Sequence, residues 1–588
     1  MIKNNTIIFI ILIIFLGLFL RTWQISNLPF PPDGDEVAFG YYGWSLANFG
    51  TDEYGNKFPL SFTSIGDNKY PGLAYLNILP ALIFGLSDIT TRFWSVVSGI
   101  LGIPLIYLFS FYITQNRRAS LFSALLFAIS PWSLIVSRIG YENQLAFITA
   151  LSGIVLLLSY LGGIKSRRAK GRKAYLYVSL LLLIITVFTY AAQRIFVPMY
   201  LFFLFAYSFM DEKLAKSTLK ILLVFLLISF VSISLFANPN FRGRADEEVW
   251  KFTGEDFKRL EETYNASGIS ELRIHPRITW FLHNKYSHTA IEFSKRYLSH
   301  FSPSFLFFEG EASGEAIPGM GVLLLVEIIL LPAGILFLFK DKKKWPLVFA
   351  WLILAPIPSS LTTGGAHINR ASLMIVPISI LSGYGFWGLT NFRSRKINIL
   401  LTFILAIVVL WSFLLTLHQI FVVKPYYRPW YRKQVNRELT EKVLSLRGKY
   451  DAVAVNDDDY IFYLFYGKIP PYEFTHNAEI IALHEDRWER VERLYNIYFK
   501  MPFNCPLSGK EKVLYVCRGD EVPQNSRLID LVYYKDGLPA YTLIEFYPLS
   551  DRPNPLPTLP ERLHYMVDVE KPDGNPDGII HSDADYLW

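Results

Sequence analysis

Apolar runs about as long as a bilayer is thick dominate this sequence. Three of them occupy residues 7–20, 175–190 and 221–236, and each approaches the roughly 20 residues that cross a hydrocarbon core as a helix. Charged residues make up only 18% of the 588-residue chain, whereas an average soluble protein carries about 25%. The runs therefore predict a mainly α-helical, polytopic membrane protein.

Basic residues between the apolar runs predict the orientation of the chain. Short loops rich in Lys and Arg stay in the cytoplasm, so these loops and the N-terminus are placed there. This arrangement predicts about eleven spans, and it requires residues 70–87, short and interrupted by proline, to form an interfacial or re-entrant helix. Because the net charge of +7 is concentrated in these loops, it does not indicate nucleic-acid binding. The loops are residues 115–118, 164–173, 211–216, 340–344 and 391–396.

The C-terminal part of the sequence has a different character. Residues 424–588 are charged and rich in proline, and they alternate like strands, so we predict a small extracytoplasmic α/β domain after a transmembrane domain at 1–423. Cys505 and Cys517 are the two cysteines of the chain. They form either a disulfide, if the compartment is oxidising, or two buried thiols. The acidic turn at 456–459 lacks the spacing of a calcium loop and favours a solvated turn.

Polar residues that could do chemistry gather on the predicted outer face. Three are acids and three are basic, and all lie near the ends of apolar runs. The simpler interpretation is structural: acids after a turn cap helices, and Lys at an interface snorkels. Glu327, an acid within an apolar run, has no evident partner. The candidate site residues are Asp35, Glu36 and Glu142 as catalytic acids and Lys69, His367 and Arg370 as phosphate-binding groups.

Carboxylates facing cations at a membrane surface suit sugar transfer from a lipid phosphate. A carboxylate can deprotonate the incoming hydroxyl, and general-base help is worth roughly 10²–10⁴-fold in rate. Arg holds phosphate oxygens bidentately, while Lys and His add point charge. The lipid tail of such a donor explains a site at the bilayer edge.

Several segments of the chain resemble the GT-C glycosyltransferases. The resemblance covers roughly residues 1–420 and is clearest in 33–59, 66–77, 91–108, 129–147 and 362–378. The most similar type is the group of dolichyl-phosphate-mannose–protein mannosyltransferases, with the lipid A aminoarabinose transferases as more distant relatives.

The resemblance implies a role for each candidate residue. It makes Asp35 the base or acceptor-positioning acid with Glu36 beside it, and Glu142 the second-loop acid. It assigns Lys69, His367 and Arg370 to the donor phosphate, although "KYPG" stands at Lys69 where the family usually has Lys-Pro-Pro. It also implies a cytoplasmic N-terminus and an outer-face site.

The resulting hypothesis is an inverting glycosyltransferase of the cell membrane. Its partners would be a polyprenyl-phosphate sugar donor, an extracytoplasmic acceptor and membrane lipid. The acceptor is a protein, a lipid or a glycan, and no cofactor is certain, although outer carboxylates could recruit a divalent cation. Two alternatives stay open: a transporter or flippase, which predicts charges at midspan and repeated halves, and a non-catalytic sensor.

Overall fold

The fold is mainly helical and is described by a computed structural model of the chain. It separates into two compact units, Met1–Phe62 with Asn68–Gln434 and Thr63–Asp67 with Val435–Trp588. Apart from Thr63–Asp67, the second unit begins at Val435, and the domain boundary at 423 stays a prediction. Most of the basic loops at 164–173 and 340–344, and the acidic turn at 456–458, lie outside the described residues. The structure describes residues 4–64, 67–161, 172–238, 241, 249–269, 275–311, 319–340, 345–391, 394–427, 429–430, 434–455, 459–482, 489–499 and 505–547.

The first unit is built from helices joined by short connections. Its described helices are α1 (Asn4–Thr22), α2 (Gly34–Phe49), α3 (Pro71–Leu76), α4 (Ile78–Phe84), α5 (Asp88–Thr114), α6 (Arg117–Ile129), α7 (Pro131–Val136), α8 (Glu142–Tyr160), α9 (Arg172–Thr189), α10 (Gln193–Ser208), α11 (Glu212–Ala215), α12 (Thr218–Ala237), α13 (Gly254–Ile269), α14 (Pro276–Leu282), α15 (Lys285–Ser299), α16 (Glu327–Lys340), α17 (Trp345–Leu354), α18 (Ile357–Ser360), α19 (Ile375–Thr390) and α20 (Arg395–His418). A two-stranded sheet, β1 (Phe62–Ser64) and β2 (Asp67–Lys69), follows α2.

Six helical segments among the described residues are long and apolar enough to cross a bilayer. Four further apolar segments are shorter, and their bounds are Pro71–Phe84, Lys173–Thr189, Glu327–Phe339 and Trp345–Ser360. The chain is therefore built as a multi-pass membrane protein, and the expected number of about eleven spans stays a prediction. The six long segments are Asn5–Thr22, Asp88–Thr114, Glu142–Tyr160, Thr218–Ala237, Ser372–Thr390 and Arg395–Val423.

The segment expected at the interface forms two short helices, α3 and α4, separated at Asn77. Pro80 has no N–H to donate to the carbonyl of Leu76, so one turn of a continuous helix would lack its bond. The indole N–H of Trp94 donates to the carbonyl of Leu76 instead, at 2.9 Å. Asn77 donates its side-chain amide to the carbonyl of Phe39 at 3.0 Å. The break is thus stabilised by specific partners and docks the segment against α2.

Small residues bring the central helices of the first unit close together. The helix α19 packs against α16 and α6, and α5 packs against α6 and α8. A Cβ atom on Gly385 would overlap the carbonyl oxygen of Leu330, and one on Gly334 would overlap that of Leu381. Within apolar helices, such close backbone approach replaces the hydrophobic driving force that water would supply.

Glu327, the acid expected deep in a span, lies at the first residue of α16. Its side chain is buried and accepts the N–H of Leu324 at 3.0 Å. An acid at this position satisfies a backbone donor at the helix start. The role that the structure assigns to it is therefore helix capping.

The second unit is an α/β unit with a seven-stranded mixed sheet, as the alternation of its sequence predicts. The strand order is β4-β5-β6-β3-β7-β9-β8, and β3 runs parallel to both β6 and β7. Its described elements are α21 (Asn436–Leu446), β3 (Ala452–Val455), α22 (Tyr460–Gly467), α23 (Pro471–Asn477), β4 (Ala478–Ala482), β5 (Glu489–Leu494), β6 (Ile497–Tyr498), β7 (Val513–Arg518), β8 (Ser526–Tyr533) and β9 (Pro539–Phe546).

Cys505 and Cys517 form a disulfide, with their Cα atoms 5.1 Å apart. This outcome decides between the two alternatives that the sequence left open. Cys517 lies in a small core cluster with Ile544 and Phe546, so the bond attaches the segment before β7 to the sheet.

Candidate functional site

The N-terminus of α2 carries the first acids of the candidate site. Asp33 is the N-cap: its carboxylate accepts the N–H of Glu36 at 3.1 Å, and the Glu36 carboxylate accepts the N–H of Asp33 at 3.1 Å. This reciprocal pattern is a capping box. Because successive residues on a helix point about 100° apart, Asp35 and Glu36 must face different surroundings.

Glu36 faces the core of the unit. Its two carboxylate oxygens accept from Arg92 Nε at 2.7 Å and Arg92 Nη2 at 2.8 Å, and the N–H of Gly140 donates to it at 2.6 Å. The side chain is fully buried. Glu36 was expected beside Asp35 as a catalytic acid, but its oxygens are occupied by a buried bidentate ion pair, which places it in the framework below the site.

Asp35 faces Lys69 instead. Its carboxylate oxygen lies 2.7 Å from the Lys69 ammonium, and 31% of the Asp35 side chain is exposed while Lys69 is fully buried. A buried ammonium is costly without a partner, so the aspartate balances the charge that the fold has taken out of water. Two residues predicted from distant parts of the first loop are thus brought together.

The second-loop acid, Glu142, begins α8 with its side chain buried. At the helix N-terminus the macrodipole favours a carboxylate. The preceding Tyr141 donates a hydrogen bond from its hydroxyl to Asp33, and the following Asn143 donates to the side-chain oxygen of Asn369 at 3.1 Å. The loop around Glu142 therefore bridges the first-loop acids and the later loop that carries His367 and Arg370.

Arg138, in the loop before Glu142, donates to backbone carbonyls at the end of α1 and in the first loop. Its guanidinium donates to the carbonyls of Leu20 at 2.7 Å, Trp23 at 2.7 Å and Leu28 at 2.8 Å. Burial lowers the pKa of Arg138 to about 9. Arg138 satisfies carbonyls at the end of α1, which holds the chain that leads into α2.

His367 lies beside a buried acid that the sequence analysis did not identify. Its Nε2 is 3.5 Å from Glu311, whose other oxygen accepts the N–H of Ile368 at 2.9 Å. The N–H of Asn369 donates to His367 Nδ1 at 3.2 Å. In a neutral imidazole the proton then sits on Nε2, which faces Glu311. The N–H of Asn369 thus favours this tautomer, and Glu311 lies on the side of the imidazole that carries the proton.

Arg370 is half-buried near the end of the same loop. Its Nη1 donates to the hydroxyl of Thr362 at 2.8 Å, and the carbonyl of Thr363 lies 3.5 Å away. Thr362 forms an isolated bridge with Val249, so a strand-like contact supports this part of the loop. The guanidinium therefore has a defined position with a neutral hydroxyl among its partners.

A buried histidine stabilises the start of this loop. His300 Nδ1 donates to the carbonyl of Arg296 at 2.8 Å, and Nε2 lies 2.8 Å from the Ser359 hydroxyl. Burial lowers the pKa of His300 from 6.5 to about 4. The imidazole is neutral at physiological pH and joins the end of α15 to α18.

Sequence reasoning missed three groups that organise the site: Arg92, Glu311 and Asn143. Arg92 carried a usable signal, since a charge one turn inside an apolar helix is costly unless it is paired. Glu311 and Asn143 carried none, because their partners are far along the chain. Within the described ranges, no group of three His, Cys, Asp or Glu side chains could hold a metal ion, so the divalent cation stays untested.

The comparisons with known proteins give matches to solved structures alone. Neither protein-family models nor curated protein sequences match the chain. The structure is similar to the oligosaccharyltransferase AglB from Archaeoglobus fulgidus, in complex with an inhibitory peptide and a dolichol-phosphate, at 14% identity and a TM-score of 0.48. That match covers 80% of this chain and 64% of AglB, so the chain spans less than two thirds of that protein.

A second similar structure is ArnT from Cupriavidus metallidurans bound to undecaprenyl phosphate. Its identity is 11% and its TM-score 0.46, and the match covers 92% of this chain and 97% of ArnT. AglB and ArnT, a lipid A aminoarabinose transferase, are both glycosyltransferases of the GT-C superfamily.

Proposed function

We propose that this chain is a membrane glycosyltransferase that moves a sugar from a polyprenyl-phosphate donor to an acceptor outside the cytoplasm. The observation that carries the proposal is the Asp35–Lys69 pair, a part-exposed carboxylate at 2.7 Å from a buried ammonium. Hydrogen bonds from Tyr141 to Asp33 and from Asn143 to Asn369 connect it to the loop of Arg370. An acid and several cations thus lie on one connected set of loops.

Asp35 is the base in the proposed reaction. It takes the proton from the acceptor hydroxyl as that oxygen forms a bond to the anomeric carbon, and the bond from this carbon to the phosphate oxygen breaks. Attack opposite the leaving phosphate inverts the configuration. Glu142 assists by orienting the acceptor, and Glu36 positions Asp35 by holding the start of α2 against Arg92 and Gly140.

Lys69, His367 and Arg370 bind the donor phosphate. The donor is a phosphate diester with one negative charge, and the departing polyprenyl phosphate has two. Cations near the leaving oxygen therefore stabilise the transition state more than the bound donor, which is the condition for faster chemistry.

The topology belongs to the same proposal. We place the N-terminus in the cytoplasm, and we expect the chain to cross the plasma membrane about eleven times. The site and the α/β unit are then extracytoplasmic.

The test is transfer of labelled sugar by the full chain in nanodiscs, supplied with a panel of dolichyl- and undecaprenyl-phosphate monosaccharides and native membrane extract as acceptor. Asp35→Asn keeps a hydrogen-bond acceptor but removes the base, so we expect a loss of roughly 10²–10⁴-fold in rate. Glu255→Gln, an exposed acid in the first turn of α13, is the matched control and should be unchanged.

Normal transfer by Asp35→Asn would overturn the role of Asp35. If the unaltered chain never consumes a donor but moves it between leaflets, the chain is a flippase and the glycosyltransferase proposal is lost.

A further inference from the structure

An exposed apolar patch protrudes from the loop between α12 and α16. The patch consists of α14 and the turn after it. Its aromatic side chains are mostly exposed: Trp280 is 62% exposed, Phe281 74% and Tyr286 82%. Ile278 and Leu282 are exposed beside them. Contiguous apolar surface of this kind marks an interaction site. We call these five residues the α14 patch.

The α14 patch is held by a built turn. Asn284 is the N-cap of α15, and its Oδ1 accepts the N–H of Tyr286 at 2.8 Å and of Ser287 at 3.0 Å. Its side-chain amide donates to the carbonyls of Trp280 at 3.0 Å and Phe281 at 3.1 Å. One side chain therefore fixes the end of α14 and the start of α15, so the aromatic rings project from an ordered backbone.

The charges within the chain segment of the α14 patch have one sign, while the acids of neighbouring segments include Asp256, 3.1 Å from His288, and Glu292. Residues 275–291 contain no Asp or Glu, whereas Arg277 and Lys285 flank the apolar side chains and three histidines lie among them. A surface that combines Trp, Tyr and Phe with Lys and Arg matches the headgroup region of a bilayer, where aromatic rings sit at the boundary and cations meet anionic headgroups.

The helix that begins next to the α14 patch, α15, ends against the apolar helix α17 and the start of the next loop. Near its C-terminus, the hydroxyl of Tyr297 donates to the carbonyl of Ile353 at 2.9 Å, and Arg296 Nε donates to the carbonyl of Ser360 at 3.0 Å. Ile353 is in the apolar helix α17 and is itself exposed. The loop is therefore attached to the apolar helix α17 through the C-terminal turn of α15, and the α14 patch lies at the other end of α15.

We propose that the α14 patch docks in the headgroup region of the leaflet that faces the loop and that it recognises anionic phospholipid. Trp280, Phe281 and Tyr286 enter the boundary between headgroups and acyl chains. Arg277 and Lys285 bind headgroup phosphates. This surface is separate from the Asp35 site, and the proposal holds whether or not the chain transfers sugars.

The experiment places an environment-sensitive fluorophore, NBD, on a cysteine in the full chain reconstituted in nanodiscs. The native cysteines are paired as Cys505–Cys517, so Phe281→Cys supplies a single labelling site. Leu538→Cys, an exposed apolar residue in the second unit, is the matched control. We expect a blue-shifted NBD emission, loss of iodide quenching and strong quenching by nitroxide-labelled lipid at residue 281, but not at 538, in phosphatidylglycerol nanodiscs.

Two comparisons make the proposal falsifiable. The lipid quenching at residue 281 should fall in pure phosphatidylcholine and in the Arg277→Glu/Lys285→Glu variant, whose unchanged emission at residue 538 would report an intact fold. Equal protection in both lipids would overturn anionic recognition. Iodide access at residue 281 equal to that at 538 would overturn docking altogether. Protection that appears in detergent and rises with protein concentration would instead identify a second copy of the chain as the occupant.

Discussion

The two halves of the proposed site hold their charges differently. In the first-loop half, two acids each have a cation at 2.7 Å: Glu36 has Arg92, and Asp35 has Lys69. In the later-loop half, Arg370 donates to the neutral hydroxyl of Thr362, and His367 lies 3.5 Å from Glu311. The described ion pairs of the first-loop half are therefore shorter than the one in the later-loop half, where a neutral hydroxyl is also among the partners.

The substitution with the largest expected effect breaks the Glu36–Arg92 ion pair of the first-loop half. Glu36→Gln leaves the Arg92 guanidinium buried without its counter-charge, and loss of one partner of a buried pair costs about 3–5 kcal/mol. We expect a large drop in the thermal unfolding midpoint of the detergent-solubilised chain. Glu255→Gln, at an exposed acid of α13, is the control and should leave the midpoint unchanged. A midpoint in Glu36→Gln equal to that of the unaltered chain would show that the pair carries no net stability.

The next effect concerns ligand binding by the later half. Arg370→Gln removes charge-assisted hydrogen bonds worth about 1.5–3 kcal/mol, so we expect the Kd for polyprenyl phosphate to rise roughly 10–100-fold. Titration of the chain with undecaprenyl phosphate measures this change.

Arg370→Lys should recover only part of the affinity, because it keeps the charge but loses the bidentate geometry. Arg259→Gln on the exposed face of α13 is the control. Equal affinity in Arg370→Gln and in this control would remove Arg370 from the phosphate site.

The next prediction is a pH effect on stability. The start of the later loop is stabilised by His300, which must be neutral in the folded chain. Folded His300 has a pKa of about 4 and an ordinary value of 6.5. As pH falls below 6.5, His300 binds a proton in the unfolded chain but stays neutral in the folded chain. The free energy of unfolding therefore falls until pH reaches about 4. We expect about 3 kcal/mol of this loss to come from His300, at about 1.4 kcal/mol for each pH unit between the two pKa values.

Comparison of unfolding midpoints of the unaltered chain and His300→Gln over this pH window measures that share. The substitution lowers the midpoint at neutral pH but flattens the pH dependence. An equally steep loss in both proteins would assign the pH dependence to other groups.

The smallest expected effect is on His367. Glu311→Gln keeps an acceptor for the N–H of Ile368 but removes the charge that orients the imidazole. A neutral hydrogen bond in place of a charged one differs by about 1 kcal/mol, so KM for the donor should rise a fewfold while kcat changes little. A kcat loss as large as that of Asp35→Asn would mean that Glu311 acts in the chemical step itself.

Much of the architecture could be predicted because it depends on local patterns. The long apolar runs predict membrane helices since a bilayer fixes their length and removes water from the backbone. The strands around Ala452–Val455 and Val513–Arg518 followed from their alternation. The site could be predicted less completely, because adjacent acids look equivalent in sequence.

The sequence by itself determined that Asp35 and Glu36 lie at a helix start just outside the first span. Only the tertiary structure decided which of them faces the core, because Arg92 is 56 residues further along the chain. The same holds for Glu311 and His367, and for Asn143 and Asn369. Periodicity and composition act over a few residues, whereas the partner of a buried charge is fixed by how distant helices pack.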